Sequence, residues 1–434
     1  MTEWHTAGAD VNLPRVTDIE RIIVRVPFRE SIAVWQTISA NHCQVVEVIR
    51  LTTDDPDVVG YGETLVHYIA TRDVVTDATV ARVLGSRLTD HISDDTIGAG
   101  LQMALYDAYG NAVGQPMSRL LGKPLVRDWA PVSSWTMEAP PEVLGAEAAL
   151  AVEAGYLSHK IKARPWFDLH EQVAAIAART PEQFAIDIDW NSTLGHSSTA
   201  LPVLDRLAHE PRVGLFEDPV PKEDVAGQAA LRAHARRPVA SHFREELFGP
   251  QLAANALDGY VVDGGVHRGL AIGTTLASVG KNLFLQYCGT GITMAMSLHV
   301  AGVLPPARWP AVSMTTSFQE DLLATPLTVQ GGFARIPDGP GLGIEVDEHA
   351  LTRLRVPTAA IPELADRLYS VDLGAGRVLH VATVDQLWAA FDHRGAFPVT
   401  EPGARMSVRV DDGSTDFRDL RARALVSPVW DVSA

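Results

Sequence analysis

Between residues 130 and 317 the chain alternates short β-branched or apolar runs with longer helical ones, and this rhythm limits its fold more than any other feature. Strands are expected at 131–137 (PVSSWTM), 157–163, 184–189 (FAIDID), 213–217 (VGLFE), 238–243 (PVASHF), 259–263 (GYVVD), 283–288 (LFLQYC) and 311–317. Helical patterning fills the gaps at 141–154, 167–179, 197–209, 223–235, 250–257, 268–280 and 292–303. Strand–helix units of about 25–30 residues imply parallel strands, and eight of them imply an α/β fold closed as a TIM-type barrel. An open doubly wound sheet is the alternative, but no Gly-rich phosphate loop follows any strand.

Flanking this repeat the pattern differs. Residues 18–27, 42–53 and 58–64 read as strands, with a loop holding Trp35 and Gln36 between the first two. Helical patterning follows over 72–91 and 96–114, where Ile97, Leu101, Leu105 and Ala108 recur at helical spacing. Four segments are expected: an α+β unit over 1–128, a barrel over 129–337, a turn-rich return segment over 338–354, and an extension over 355–434. In the extension, 361–369 and 383–392 read as helix and 405–410 as strand, with no role assigned.

A formal net charge of −17 argues against nucleic acid or an anionic membrane as partner. Two cysteines, Cys43 and Cys288, cannot build a disulfide framework or a zinc site. No basic-then-apolar signal opens the chain and no apolar run is long enough to span a bilayer, so a cytoplasmic location is expected.

Barrel chemistry sits at the C-terminal strand ends. In the strand 157–163, alternation puts Lys160 and Lys162 on one face, where mutual repulsion lowers the pKa of at least one and lets it act as a base. Asp189, Glu217 and Glu245 follow the third, fourth and fifth strands at intervals of one strand–helix unit. Each acid alone could serve as a helix N-terminal residue. Three at one level repel unless a cation neutralises them, and hard oxygen ligands suit Mg2+.

The motifs Lys160-Ile161-Lys162, Asp189-Trp190-Asn191, Phe216-Glu217-Asp218-Pro219 and Pro340-Gly341-Leu342-Gly343 resemble those of the enolase superfamily, on its mandelate racemase/muconate lactonizing side. Weaker matches are Gly62-Glu63 and the helix with Ala104-Leu105-Tyr106-Asp107. The resemblance implies a modified (β/α)7β barrel under an α+β capping domain. It also implies Mg2+ on Asp189, Glu217 and a third acid, and abstraction of the proton beside a substrate carboxylate to give an enediolate. Lys162 is then the base, Lys160 neutralises the carboxylate, and Asn191 positions an oxygen. Leu247-Phe248-Gly249-Pro250 resembles the family's continuation and favours Glu245 as third ligand, with His242 as an alternative ligand or catalytic group.

Asp263 stands where racemase-like members carry an acid, but the seventh strand ends Gln286-Tyr287-Cys288-Gly289 without a histidine. His267, Tyr287 and His242 are candidates for the second acid–base, while His299 reads as a packing residue. Trp35, Arg164 and the segment with His67 and Tyr68 are candidate substrate contacts. With one secure base, dehydration of a hydroxy-carboxylate such as an acid sugar leads. Racemisation or epimerisation is second and a cycloisomerase third. A metal-binding scaffold without turnover is the alternative of another class. The expected partners are a small-molecule carboxylate and further copies of this chain.

Overall fold

The computed structural model describes residues 13–68, 75–392 and 402–432. A three-stranded antiparallel sheet opens it: β1 (Val16–Arg25), β2 (Val45–Thr53) and β3 (Val59–Leu65), in that order. Between β1 and β2 the segment holding Trp35 and Gln36 is not a loop but a helix, α1 (Glu30–Ser39), which buries Ile32, Gln36, Thr37 and Ile38. Of the helical stretch expected over 72–91, residues 72–74 lie outside the described residues and only α2 (Asp77–Val83) is helical. The next helix, α3 (Ala99–Val113), lies on β3 so closely that a Cβ at Gly62 would come 2.0 Å from the Gly100 carbonyl oxygen. Glycine is therefore required there. A short α4 (Met117–Leu120) leads into the barrel.

The barrel alternates β4 (Trp129–Trp135), α5 (Pro141–Glu153), β5 (Ser158–Lys162), α6 (Leu169–Ala177), β6 (Ala185–Asp189), α7 (Ser197–Leu207), β7 (Val213–Glu217) and α8 (Val225–His234). It continues with β8 (Val239–His242), α9 (Glu245–Ala253), β9 (Gly259–Val262), α10 (Val266–Ser278), β10 (Asn282–Leu285), α11 (Gly291–Val303) and a two-residue β11 (Ala311–Val312). All neighbouring pairs from β4 to β10 are parallel, and β11 pairs parallel with β4. The Leu283–Ala307 bridge brings the segment before β11 onto β10, which curls the sheet round on itself. A hairpin of β12 (Val329–Gln330) and β13 (Phe333–Arg335) adds antiparallel to β4.

The chain then returns to the first sheet through α12 (Glu348–Leu354), where Arg355 bridges Val24 and pairs with Glu20 at 3.1 Å. Beyond it, the helix expected over 361–369 is absent. The described part of the extension is a four-stranded antiparallel sheet in the order β16-β14-β15-β17, from β14 (Arg367–Asp372), β15 (Arg377–Val381), β16 (Arg405–Val410) and β17 (Val429–Val432). Helices α13 (Val384–Asp392) and α14 (Thr415–Val426) accompany it. Its core is shared: Tyr369, Val371, Leu379 and Leu387 pack with Trp166 and Phe167 from the loop after β5 and with Ile38 of α1. Among the described residues no helix is long and apolar enough to cross a membrane.

Candidate active site

Strand β5 is buried along its whole length, and alternation along it sends Lys160 and Lys162 into the barrel while Ile161 joins the apolar layer with Leu144 and Val173. Across the sheet Lys162, Asp189 and Glu217 are consecutive Cα partners, so three strands present them at one level. Each acid is followed by a turn through the left-handed region, at Asn191 (φ 47°) and Asp218 (φ 43°). Asn and Asp are the residues that tolerate that conformation, which accounts for the Asp-Trp-Asn and Glu-Asp-Pro motifs. The first turn folds back, the Asn191 N–H donating to Asp189 Oδ1 at 2.8 Å.

Lys160 Nζ lies 2.5 Å from Glu217 Oε2 and 3.3 Å from Asp189 Oδ2, and donates to Gln286 Oε1 at 2.6 Å. Lys162 Nζ donates to Asp189 Oδ2. Burial pushes the Lys160 ammonium towards neutrality, but the Glu217 and Asp189 charges outweigh it and hold its pKa above the usual lysine value. Lys162 goes the other way: burial lowers it, Asp189 only partly restores it, and Lys160 pushes it down further. Desolvation thus contributes more than repulsion between the two lysines, the reverse of the expectation from their spacing. Asp189 is held well below the usual carboxylate range because the two ammoniums overcome its burial.

His242 ends β8 with Nε2 3.3 Å from Glu217 Oε1 and 4.0 Å from Asp218 Oδ2, and Nδ1 3.3 Å from Asp263 Oδ2. Burial opposes its charge, but hydrogen bonds to Asp263 and Glu217 prevail and raise its pKa to about 9. Arg268 fixes Asp263 from outside, through Oδ1 at 3.2 Å and the main-chain carbonyl at 2.7 Å. One ligand atom each from Glu217, Asp218 and His242 lies within 4.8 Å of the others, as a metal ion would require. Glu217 and Asp218 are fully buried and face cationic groups, Lys160 at Glu217 Oε2 and Lys222 Nζ 3.1 Å from Asp218 Oδ2. Arg164 borders the site, its Nη2 donating to Asn191 Oδ1 at 3.0 Å and its Nε lying 3.9 Å from Glu138 Oε2.

Four expected site residues fall elsewhere. Glu245 is the first residue of α9, with a side chain 64% exposed and paired with Arg268 at 3.0 Å. The Cα partner of Glu217 on the fifth strand is Ala240, 23 residues on rather than 28, so equal spacing overshot the strand end and His242 stands there instead. His267 faces the first unit, its Nε2 2.7 Å from the Tyr106 hydroxyl. Tyr287 points outward, its hydroxyl against the position of Gly269 on α10. Trp35 packs edge-on against Phe167 with ring centroids 6.1 Å apart, inside the seam between α1 and the loop after β5.

Two buried residues join the site outside the sequence motifs: Gln286, which bonds both Lys160 and the Tyr68 hydroxyl, and Glu138, just past the first barrel strand. Period-two alternation could have found Gln286, since it shares a face with Phe284, the ring 5.4 Å below Lys160 Nζ. Elsewhere the first unit is tied to the barrel through Glu63, whose carboxylate accepts from the Thr290 and Thr293 N–H groups at the start of α11 (2.7 and 2.9 Å). Cys43 and Cys288 are both buried and unbridged.

Residues 143–350 match the Enolase C-terminal domain-like family. D-galactarolactone cycloisomerase of Agrobacterium fabrum is 29% identical over 60% of this chain and 74% of its own length. Arabinonate dehydratase of Saccharolobus solfataricus is 24% identical over 71% of this chain and 90% of its own. An enolase from Thermobispora bispora, crystallised with magnesium and formate, superposes with a TM-score of 0.63 at 22% identity, covering 79% of this chain and 92% of its own. With acids and lysines in register inside such a barrel, residues 143–350 belong to the Enolase C-terminal domain-like family, and the chain is similar to dehydratases and cycloisomerases of the enolase superfamily.

Proposed function

We propose that the protein dehydrates a hydroxy-carboxylate such as an acid sugar by removing the proton α to the carboxylate, with Lys162 as base. The observation that carries this reading is the register Lys162–Asp189–Glu217, which places an amine beside two buried carboxylates at the mouth of the barrel. The buried, adjoining carboxylates suit a divalent cation, with Asp189 and Glu217 as ligands and Mg2+ the ion expected in this superfamily. Such an ion supplies Lewis-acid stabilisation of negative charge forming on the substrate carboxylate.

The chain's own groups divide the remaining tasks. Lys160, anchored by Gln286, keeps its charge and neutralises a substrate oxygen, while Lys162, the easier of the two to deprotonate, takes the proton. Arg164 and Asn191 form a linked pair beside them that can orient a second oxygen of the substrate. Gln286 rather than a histidine faces Lys160 from the seventh strand, which favours elimination from one face over a two-base racemisation. Lactone-forming or isomerising chemistry is the second reading, favoured by the likeness to the cycloisomerase. A cytoplasmic location and a homo-oligomeric state belong to the same proposal.

The test is incubation of the enzyme with Mg2+ and a panel of acid sugars in D2O, following α-proton exchange by NMR and loss of water by mass spectrometry. Both are expected in the wild type and absent in Lys162→Ala. Exchange that persists in the variant, or that ignores chelation, would refute the assignment.

A further inference from the structure

We propose that the cation site has a nitrogen ligand, His242, and therefore takes a first-row transition ion such as Mn2+ or Co2+ in preference to Mg2+. The inference rests on the reading of Asp189 and Glu217 as cation ligands and goes beyond it in naming the third ligand and the class of ion.

Strand β8 carries Ala240 level with Glu217, and its inward positions near the mouth offer a methyl group and then an imidazole, with no carboxylate. The imidazole is held from behind. Asp263 Oδ2 faces Nδ1, and Arg268 holds Asp263 in turn. Nδ1 faces Asp263 and Nε2 faces Glu217 Oε1 at 3.3 Å and Asp218 Oδ2 at 4.0 Å, so that a cation taking the place of the Nε2 proton would meet all three groups. A carboxylate behind a histidine whose other nitrogen faces a buried acid pair is the arrangement that metal-ligating histidines use to fix tautomer and raise basicity.

A second observation points to a ligand at the same place. Glu217 and Asp218 are fully buried, and one ligand atom from each converges with a His242 ring nitrogen within 4.8 Å, where the ammoniums of Lys160 and Lys222 are the cations that face them. Affinity of a site with a nitrogen ligand rises along the first row from Mn2+ through Fe2+ to Co2+, whereas Mg2+ prefers an all-oxygen octahedron. On this account Asp263 is a positioning residue acting through His242, not an acid–base, and its sixth-strand place serves the metal.

The experiment uses metal-stripped full-length protein titrated calorimetrically with Mg2+, Mn2+ and Co2+, and pulsed EPR on the Mn2+ form. The expected result is Co2+ and Mn2+ binding well ahead of Mg2+, with a 14N coupling from a bound imidazole. His242→Gln should abolish that coupling and weaken Co2+ roughly tenfold or more while changing Mg2+ far less. Asp263→Asn should weaken Co2+ by about 10–100-fold. Arg335→Ala, which removes an exposed ion pair of the antiparallel hairpin with Asp338, is the folded control. An absent 14N coupling with an unchanged Co2+/Mg2+ ratio in His242→Gln would overturn the histidine ligand but leave the site standing if Glu217→Gln still abolishes binding. Metal affinity untouched by Glu217→Gln would overturn the site reading as well.

Discussion

A fully buried ammonium costs several kcal/mol unless opposite charge and hydrogen bonds compensate it. Lys160 has both, from Glu217, Asp189 and Gln286, whereas Lys162 has Asp189 alone as hydrogen-bonding partner among the described contacts. Two lysines of one motif thus differ in role because of what surrounds them. Lys162→Ala is expected to lower kcat by about 10²–10⁴-fold, the usual worth of a general base, with the circular dichroism spectrum unchanged. Glu245→Ala is expected to leave turnover within about twofold and stability within about 1 kcal/mol in urea unfolding, since an exposed ion pair contributes little. The level of Asp189 and Glu217 was legible in the sequence because both close strands of equal length at one period. The fifth position was not, because β8 is shorter and period alone cannot show where a strand stops.

Among elements, β5 is joined to β4 by a buried histidine: His159 sits between Ser134 Oγ (2.7 Å) and Thr136 Oγ1 (2.9 Å). Burial, aided by Arg29, lowers its pKa to about 3, so it stays neutral in the fold while the unfolded chain protonates near 6.5. The unfolded state then holds more protons between those values. Its stabilisation is complete above pH 6.5 and is lost as pH falls towards 3, at up to about 1.4 kcal/mol per pH unit. The stability gap between wild type and His159→Gln, followed by urea unfolding from pH 7 to pH 4.5, is expected to shift against the wild type with acid. The extension is the other instructive element. Its strand 429–432 and helix 415–426 are hard to read from sequence because little of their surface is core: Val432 and Leu425 stay exposed. The sequence of α1 reads as a loop because its buried residues, among them Ile32 and Ile38, follow no strong local period, and Ile38 is placed by packing on the distant extension.

For the whole molecule, titrating groups act in opposition. Asp107, which receives the Tyr61 and Leu342 N–H groups at 2.8 and 2.7 Å and so ties α3 to β3 and to the return segment, is pushed up to about 7 by burial. A raised carboxyl stabilises the fold fully below its unfolded value near 3.8 and loses that contribution as pH climbs through 7. This slope runs against that of His159, so the two contributions oppose each other between pH 4.5 and 7. His159→Gln should unmask a decline in stability as pH rises, readable from urea midpoints across that range. The barrel and its cap were legible because strand–helix alternation and short β-branched runs are local signals. How the third body joins them was not, since no local pattern encodes a long-range seam.

That seam sets how the parts of this enzyme can be exchanged. Trp388 lies 5.2 Å from the Arg164 guanidinium and edge-on to Trp166 at 4.9 Å, and Arg367 holds α1 through the Val34 carbonyl and the Thr37 hydroxyl. A loop grafted after β5 from a relative would arrive without the surface that Trp388 and Arg367 have shaped around the native one. Swaps in this region should be productive only when tail, loop and first helix are transplanted as a set.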